Sequence, residues 1–127
     1  MCFNNTDWRA HYFGNYRRYI EHTGTDGFMP DEIHWYLWIK SVCGCDYCRT
    51  LFKQRTGYDL PRPGDEHHMN WGSPVWRAWV MFMRDSLTDF VGDFKTEVIE
   101  PLQGDEYAFL SCNTGISRYW RWESGMD

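Results

Sequence analysis

The stretch Gly27-Phe-Met-Pro-Asp-Glu-Ile33, followed ten residues later by Cys43-Gly-Cys-Asp-Tyr-Cys48, decides how this chain reads. The first part reads as a short strand, which Pro30 weakens. Upstream of it, Trp8, Tyr12, Tyr16, Tyr19 and Ile20 fall at three- and four-residue steps. That periodicity predicts a helix from about Asp7 to His22, with Asn5 or Thr6 as its cap and Gly24 as its stop. Downstream, a short helix runs from Cys48 to about Thr56, with Leu51 and Phe52 inward and Gly57 at its end. Residues 58–72 carry Pro61, Pro63, Gly64 and Gly72 around the polar run Asp65-Glu-His-His68 and read as a surface loop. Ser73-Pro74 opens the longest helix, whose apolar positions from Trp76 to Val98 continue to Pro101. Tyr107-Ala-Phe-Leu-Ser111 then reads as a buried strand.

Helix, strand, helices, strand is the alternating order of parallel strands joined by crossover helices. The expectation is therefore the α/β class: a fragment of a (β/α)8 barrel with about two parallel strands, forming one partial domain over residues 1–127. A full barrel takes about 250 residues. The 127 residues present supply roughly a third of such a ring, which leaves open sheet edges. The missing remainder of the barrel, or a homo-oligomer, is expected to cover them.

Composition narrows the partners. Thirteen basic residues against eighteen acidic ones give a formal charge of -5, and the pI is near 5.5. Nucleic-acid binders show a basic patch or stripe, so a nucleic-acid partner is not expected. No apolar run reaches the roughly 18 residues of a membrane span, and the start Met-Cys-Phe-Asn-Asn-Thr-Asp lacks the regions of a signal peptide. A soluble, cytoplasmic protein without a membrane partner is the expectation. Eight Trp, eight Tyr and eight Phe have two readings: a packed core, or the stacking walls of a sugar site.

Three cysteines in C-x-C-x2-C suit a soft tetrahedral metal better than disulfides, which such a short span would strain. Zinc then needs a fourth ligand, and Cys2, Cys112 and His34 are the candidates. Reduced cysteines without a metal are the plainer alternative. An extracellular disulfide framework fits five cysteines poorly. Asp31-Glu32 stands at the end of the first expected strand, where barrel enzymes carry their catalytic groups. Strand neighbours point to opposite sides, so only one of the two can face a site centre. Absent further context, the pair reads as a solvated turn.

Together these parts resemble the middle of the glycoside hydrolase family 42 beta-galactosidases. The likeness runs from Cys2-Phe-Asn4 through the helix with Trp8, Arg9 and Tyr19 to Asp26-Gly-Phe-Met-Pro-Asp-Glu32. It continues through Cys43-Gly-Cys-Asp-Tyr-Cys48-Arg49 to Phe52 and Gly57-Tyr-Asp-Leu-Pro61. In that family a lone cysteine precedes the helix before strand four, the strand ends in Asn-Glu, and C-x-C-x2-C follows about ten residues on. Here Glu32 precedes Cys43 by eleven positions and Cys2 precedes it by forty-one.

The resemblance implies retaining hydrolysis of a carbohydrate in the complete parent. Glu32 would be the general acid/base, while Asp31, His34 and Trp35 would shape the sugar pocket. Cys2, Cys43, Cys45 and Cys48 would hold a structural zinc ion in a loop at about residues 40–50. Asp31 stands where the family has asparagine, and the nucleophile and the first three strands have no counterpart. The chain by itself is therefore expected to be catalytically incompetent. Two other expectations stand beside it: a small zinc-binding module that folds with its metal, and a carbohydrate-binding module without catalysis.

Overall fold

The structure is a computed structural model and describes residues 2–25 and 43–103. Its elements are α1 (Thr6–Thr23), α2 (Asp46–Thr56), α3 (Pro74–Phe94), a π-helical turn (Lys95–Ile99) and α4 (Glu100–Gln103). Each long helix begins and ends where local chemistry dictates. The Asn5 side chain accepts the Trp8 N–H at 2.8 Å, satisfying one of the donors a helix start leaves open. Gly24 closes α1 in the left-handed region at φ 60°, and its N–H donates to the Ile20 carbonyl. Gly57, at φ 77°, does the same for α2 against Lys53. Ser73 accepts the Val75 N–H at 3.2 Å ahead of Pro74, whose missing N–H costs nothing at that position.

The helices are held by rings. Phe90 of α3 is buried at the centre of a cluster, with ring centroids 4.9 Å from Phe3 and 5.5 Å from each of Trp8, Tyr12 and Phe13. One turn on, Phe94 meets Tyr12, Phe13 and Tyr16 of α1. Nearer the start of α3, Trp79 and Phe82 both meet Phe52 of α2 edge-on, at 5.8 and 5.3 Å. Large side chains thus do the joining between helices, in the tilted and edge-on arrangements aromatic quadrupoles favour.

An acidic ladder along α3 and the π turn that follows it fixes the register of this packing. Asp89 accepts from Arg55 of α2 at 2.8 Å, Asp93 pairs with Arg9 of α1, and Glu97 lies 3.6 Å from Arg17. Residues four apart share a helix face, so one stripe reaches both neighbours. Arg17 also donates through Nε and Nη2 to the Glu97 carbonyl, at 3.2 and 2.9 Å. Pro101, four residues further on, has no N–H to give that carbonyl.

The barrel expectation is overturned. The described residues are 69% helix and contain no strand. In a (β/α)8 barrel the apolar stripe of each helix rests on a sheet; here the stripes of α1 and α2 rest on α3, so no sheet face is needed to bury them. An all-helical architecture stands against the α/β fragment, and against a barrel glycoside hydrolase, equally. Both expected strands, at residues 27–33 and 107–111, lie outside the described residues. The helices expected at Asp7–His22 and up to Thr56 are present, within a residue at each compared end. The long helix expected from Ser73-Pro74 is α3, but it changes to a π turn at Lys95 rather than running unbroken to Pro101.

Two substitutions test this core in opposite directions. Phe90→Ala removes the ring at the centre of the cluster and is expected to cost about 3–5 kcal/mol in chemical denaturation. Ser86 is 1% exposed, and its hydroxyl has no hydrogen-bond partner among the described residues. Ser86→Ala therefore removes an unsatisfied polar group and improves helix propensity, and is expected to stabilise the chain by about 1 kcal/mol. A destabilising Ser86→Ala would show that the hydroxyl is satisfied.

Candidate metal centre

Two chain segments meet through sulfur just before their helices begin. Cys2 sits four residues ahead of α1, and a turn closed by the Asn5 N–H on the Cys2 carbonyl, at 3.1 Å, folds it back. Cys45 is the residue that caps α2, and Cys48 lies three residues on in its first turn, so both sulfurs share one side of that helix start. Cys43 precedes Cys45 by two residues. None of these four is in a disulfide.

Their Sγ atoms all lie within 4.8 Å of one another. Cys2 is 3.4 Å from both Cys45 and Cys48, and Cys43 is 3.6 Å from Cys45. A zinc–sulfur bond of about 2.3 Å in a tetrahedron implies sulfur pairs about 3.8 Å apart, so small side-chain shifts that open the short pairs make room for such an ion. Disulfide bonding would need about 2.05 Å. The four cysteines therefore form a group that can hold a metal ion.

The electrostatics point the same way. Both helix starts aim the positive ends of their dipoles near the cluster. Asn4 Nδ2 donates to the Cys48 sulfur at 3.4 Å. Thiol hydrogen bonds from Cys2 and Cys48 hold Cys43 far below the usual thiol range, at about 2, against the opposing effect of burial. Cys2, bonded to Cys43, is pushed up to about 12. Cys48 is likewise pushed up by its bonds to Cys2 and Cys43 and by burial. A cation bound among the sulfurs would take the place of thiol protons.

Of the residues expected to form a site, the structure brings Cys2, Cys43, Cys45 and Cys48 together. Glu32, Asp31, His34, Trp35 and Cys112 lie outside the described residues. Asn4 was not among the expected residues; it is buried, and its side chain donates to the Cys48 sulfur. Its only sequence signal is a position two residues after Cys2, which is weak. His67 and His68 do not converge on a common point for a metal. His67 Nδ1 lies 3.0 Å from Ser73 Oγ, while the His68 ring meets Trp76 edge-on. Their backbone N–H groups, with that of Arg62, bind the Asp65 carboxylate and hold it below the usual carboxylate range, the Arg62 bond contributing most.

Comparison with protein-family models, with curated proteins and with solved structures returns no match. The likeness to family 42 enzymes therefore rests on the residues quoted for it. Among the described residues, no helix is long and apolar enough to cross a membrane.

Cys48→Ser removes a fully buried ligand and is expected to abolish tight binding of one metal ion per chain, measured by competition with a colorimetric chelator. Asn4→Ala keeps all four sulfurs but removes the side-chain donor to Cys48, and is expected to weaken binding about 10–100-fold. Equal affinity in the Asn4 variant would show that this amide does not support the sulfur.

Proposed function

We propose that this chain is a structural zinc module, in which Cys2, Cys43, Cys45 and Cys48 hold one ion that ties the start of α1 to the start of α2. The observation that carries the reading is the convergence of four sulfurs, within 4.8 Å of one another, from two segments forty-one residues apart. Four soft thiolates in a tetrahedral set favour zinc over magnesium or calcium, which prefer oxygen ligands. A set of four also leaves no open position for water or substrate, so the ion serves the fold rather than a reaction.

The sequence explains why such an ion is needed. The cap of α2 comes from Cys45, whose side chain makes no capping hydrogen bond. An eleven-residue helix is marginal on its own in water. Its attachment to the rest includes Phe52 against Trp79 and Phe82, the Arg55–Asp89 pair, the Tyr47 hydroxyl on Asp7 and the sulfur cluster. An exposed ion pair contributes about 0–1 kcal/mol. Structural zinc in small peptides contributes an apparent 10–16 kcal/mol or so at neutral pH, much the largest of these contributions.

The test is removal of the ion from the purified full chain. Elemental analysis is expected to find one zinc per chain, and chelation under reducing conditions is expected to lower the helical circular dichroism and the melting midpoint together. Adding zinc back restores both. A chain that keeps its helicity and midpoint after complete chelation would overturn the structural role.

A further inference from the structure

We propose that the same sulfur cluster is a peroxide-responsive latch: oxidation joins Cys2 to Cys45 by a disulfide, releases the metal, and leaves the starts of α1 and α2 tethered. The inference rests on the zinc reading above and adds a regulation to that site.

Geometry selects the pair. Cys2 Sγ is 3.4 Å from Cys45 Sγ and 3.4 Å from Cys48 Sγ, so both are within reach of a modest side-chain rotation. Burial and bonding separate them. Cys48 is fully buried and accepts the Asn4 amide, whereas Cys45 is partly open to solvent. Cys45 caps α2 without a side-chain hydrogen bond, so no capping contact of that side chain is lost when its sulfur turns. A third short contact, Cys43 to Cys45 at 3.6 Å, is between residues two apart in one segment. A disulfide there closes a strained ring and ties nothing to α1.

The chemistry balances with a hydroperoxide as oxidant. The Cys45 thiolate attacks the peroxide oxygen, forming an S–O bond while the O–O bond breaks, and the departing oxygen leaves as water after taking a proton. The Cys2 thiolate then attacks the sulfenic sulfur. An S–S bond forms, the S–O bond breaks, and a second water leaves with a second proton. Two thiolates, one hydrogen peroxide and two protons thus give one disulfide and two waters; the sulfurs lose the two electrons that the peroxide gains. The ion is left with Cys43 and Cys48, half of its ligands. The new bond meanwhile closes nearly the same chain loop that the metal closed, from Cys2 to Cys45. Oxidation and chelation therefore both remove zinc but leave different chains behind.

The experiment starts from the reduced full chain loaded with zinc, its stoichiometry measured before any oxidant is added. Hydrogen peroxide is then titrated in while zinc release is followed with a colorimetric chelator. Linked peptides are mapped by mass spectrometry, and helicity is followed by circular dichroism. The expected result is complete loss of the ion in step with a Cys2–Cys45 link, with helicity retained where the chelated, reduced chain loses it. A dithiol plus zinc is expected to reverse the change. Retention of zinc under peroxide, a link made by any other pair including Cys112, sulfinic acid in place of a disulfide, or helicity lost as fully as on chelation would each overturn the latch. A chain that does not load overturns the zinc reading instead, and oxidation of that metal-free chain then tests the Cys2–Cys45 pairing by itself.

Discussion

Four sulfurs brought within 4.8 Å create a problem of charge that the rest of the described structure is arranged around. Thiolates at that distance repel, and thiols at that distance gain little. The chain answers with donors: two helix starts and the Asn4 amide are turned toward the sulfurs. Those donors are in place only when Cys2 and the Cys43–Cys48 loop are both folded back against their helices. Local geometry on two distant segments and the charge state of one small cluster are thus a single constraint.

That constraint fixes only the starts of α1 and α2, and α3 aligns the remaining length of both helices. The aromatic cluster about Phe90 supplies most of the attraction, but rings tolerate sliding. The ladder of Asp89, Asp93 and Glu97, each matched to an arginine of a different turn or helix, does not. Each pair contributes little by itself at an exposed site. Their joint effect is to make one relative position of three helices better than its neighbours. Arg9 shows the two roles meeting, since its guanidinium lies over the Phe13 and Phe90 rings while it pairs with Asp93.

The helices were legible in the sequence because their ends are written locally: Asn5 before Trp8, Gly24 and Gly57 at left-handed stops, Ser73-Pro74 at a start. Three of the four sulfurs were legible because C-x-C-x2-C is a spacing with few other uses, while Cys2 stood only as one of three candidates for the fourth until the resemblance to family 42 singled it out. The layer against which those helices pack was not. A three-to-four periodicity records that one face is apolar, and a sheet or another helix would satisfy Tyr12, Tyr16 and Ile20 equally. The strand reading of Gly27–Ile33 tipped that choice toward a barrel, and the direct contact of Phe90 with α1 corrects it. Asn4 escaped notice because an amide donating to sulfur leaves no periodic trace. The π turn was hidden by Val98, which continues the apolar pattern of α3 across it.

That turn changes what the end of α3 presents. Val98 and Ile99 are adjacent in sequence, yet both are 0% exposed. Neighbours on an ordinary helix diverge by about 100 degrees, too far to share a narrow apolar stripe. Widening the coil at Lys95–Ile99 interrupts that regular spacing, and Arg17 secures the carbonyl that Pro101 leaves bare. The long helix therefore enters this region with one apolar face and leaves it with a rotated one, as a thread does after a change of pitch. Deleting a single residue there would restore the pitch and turn the apolar side of α4 away from α1.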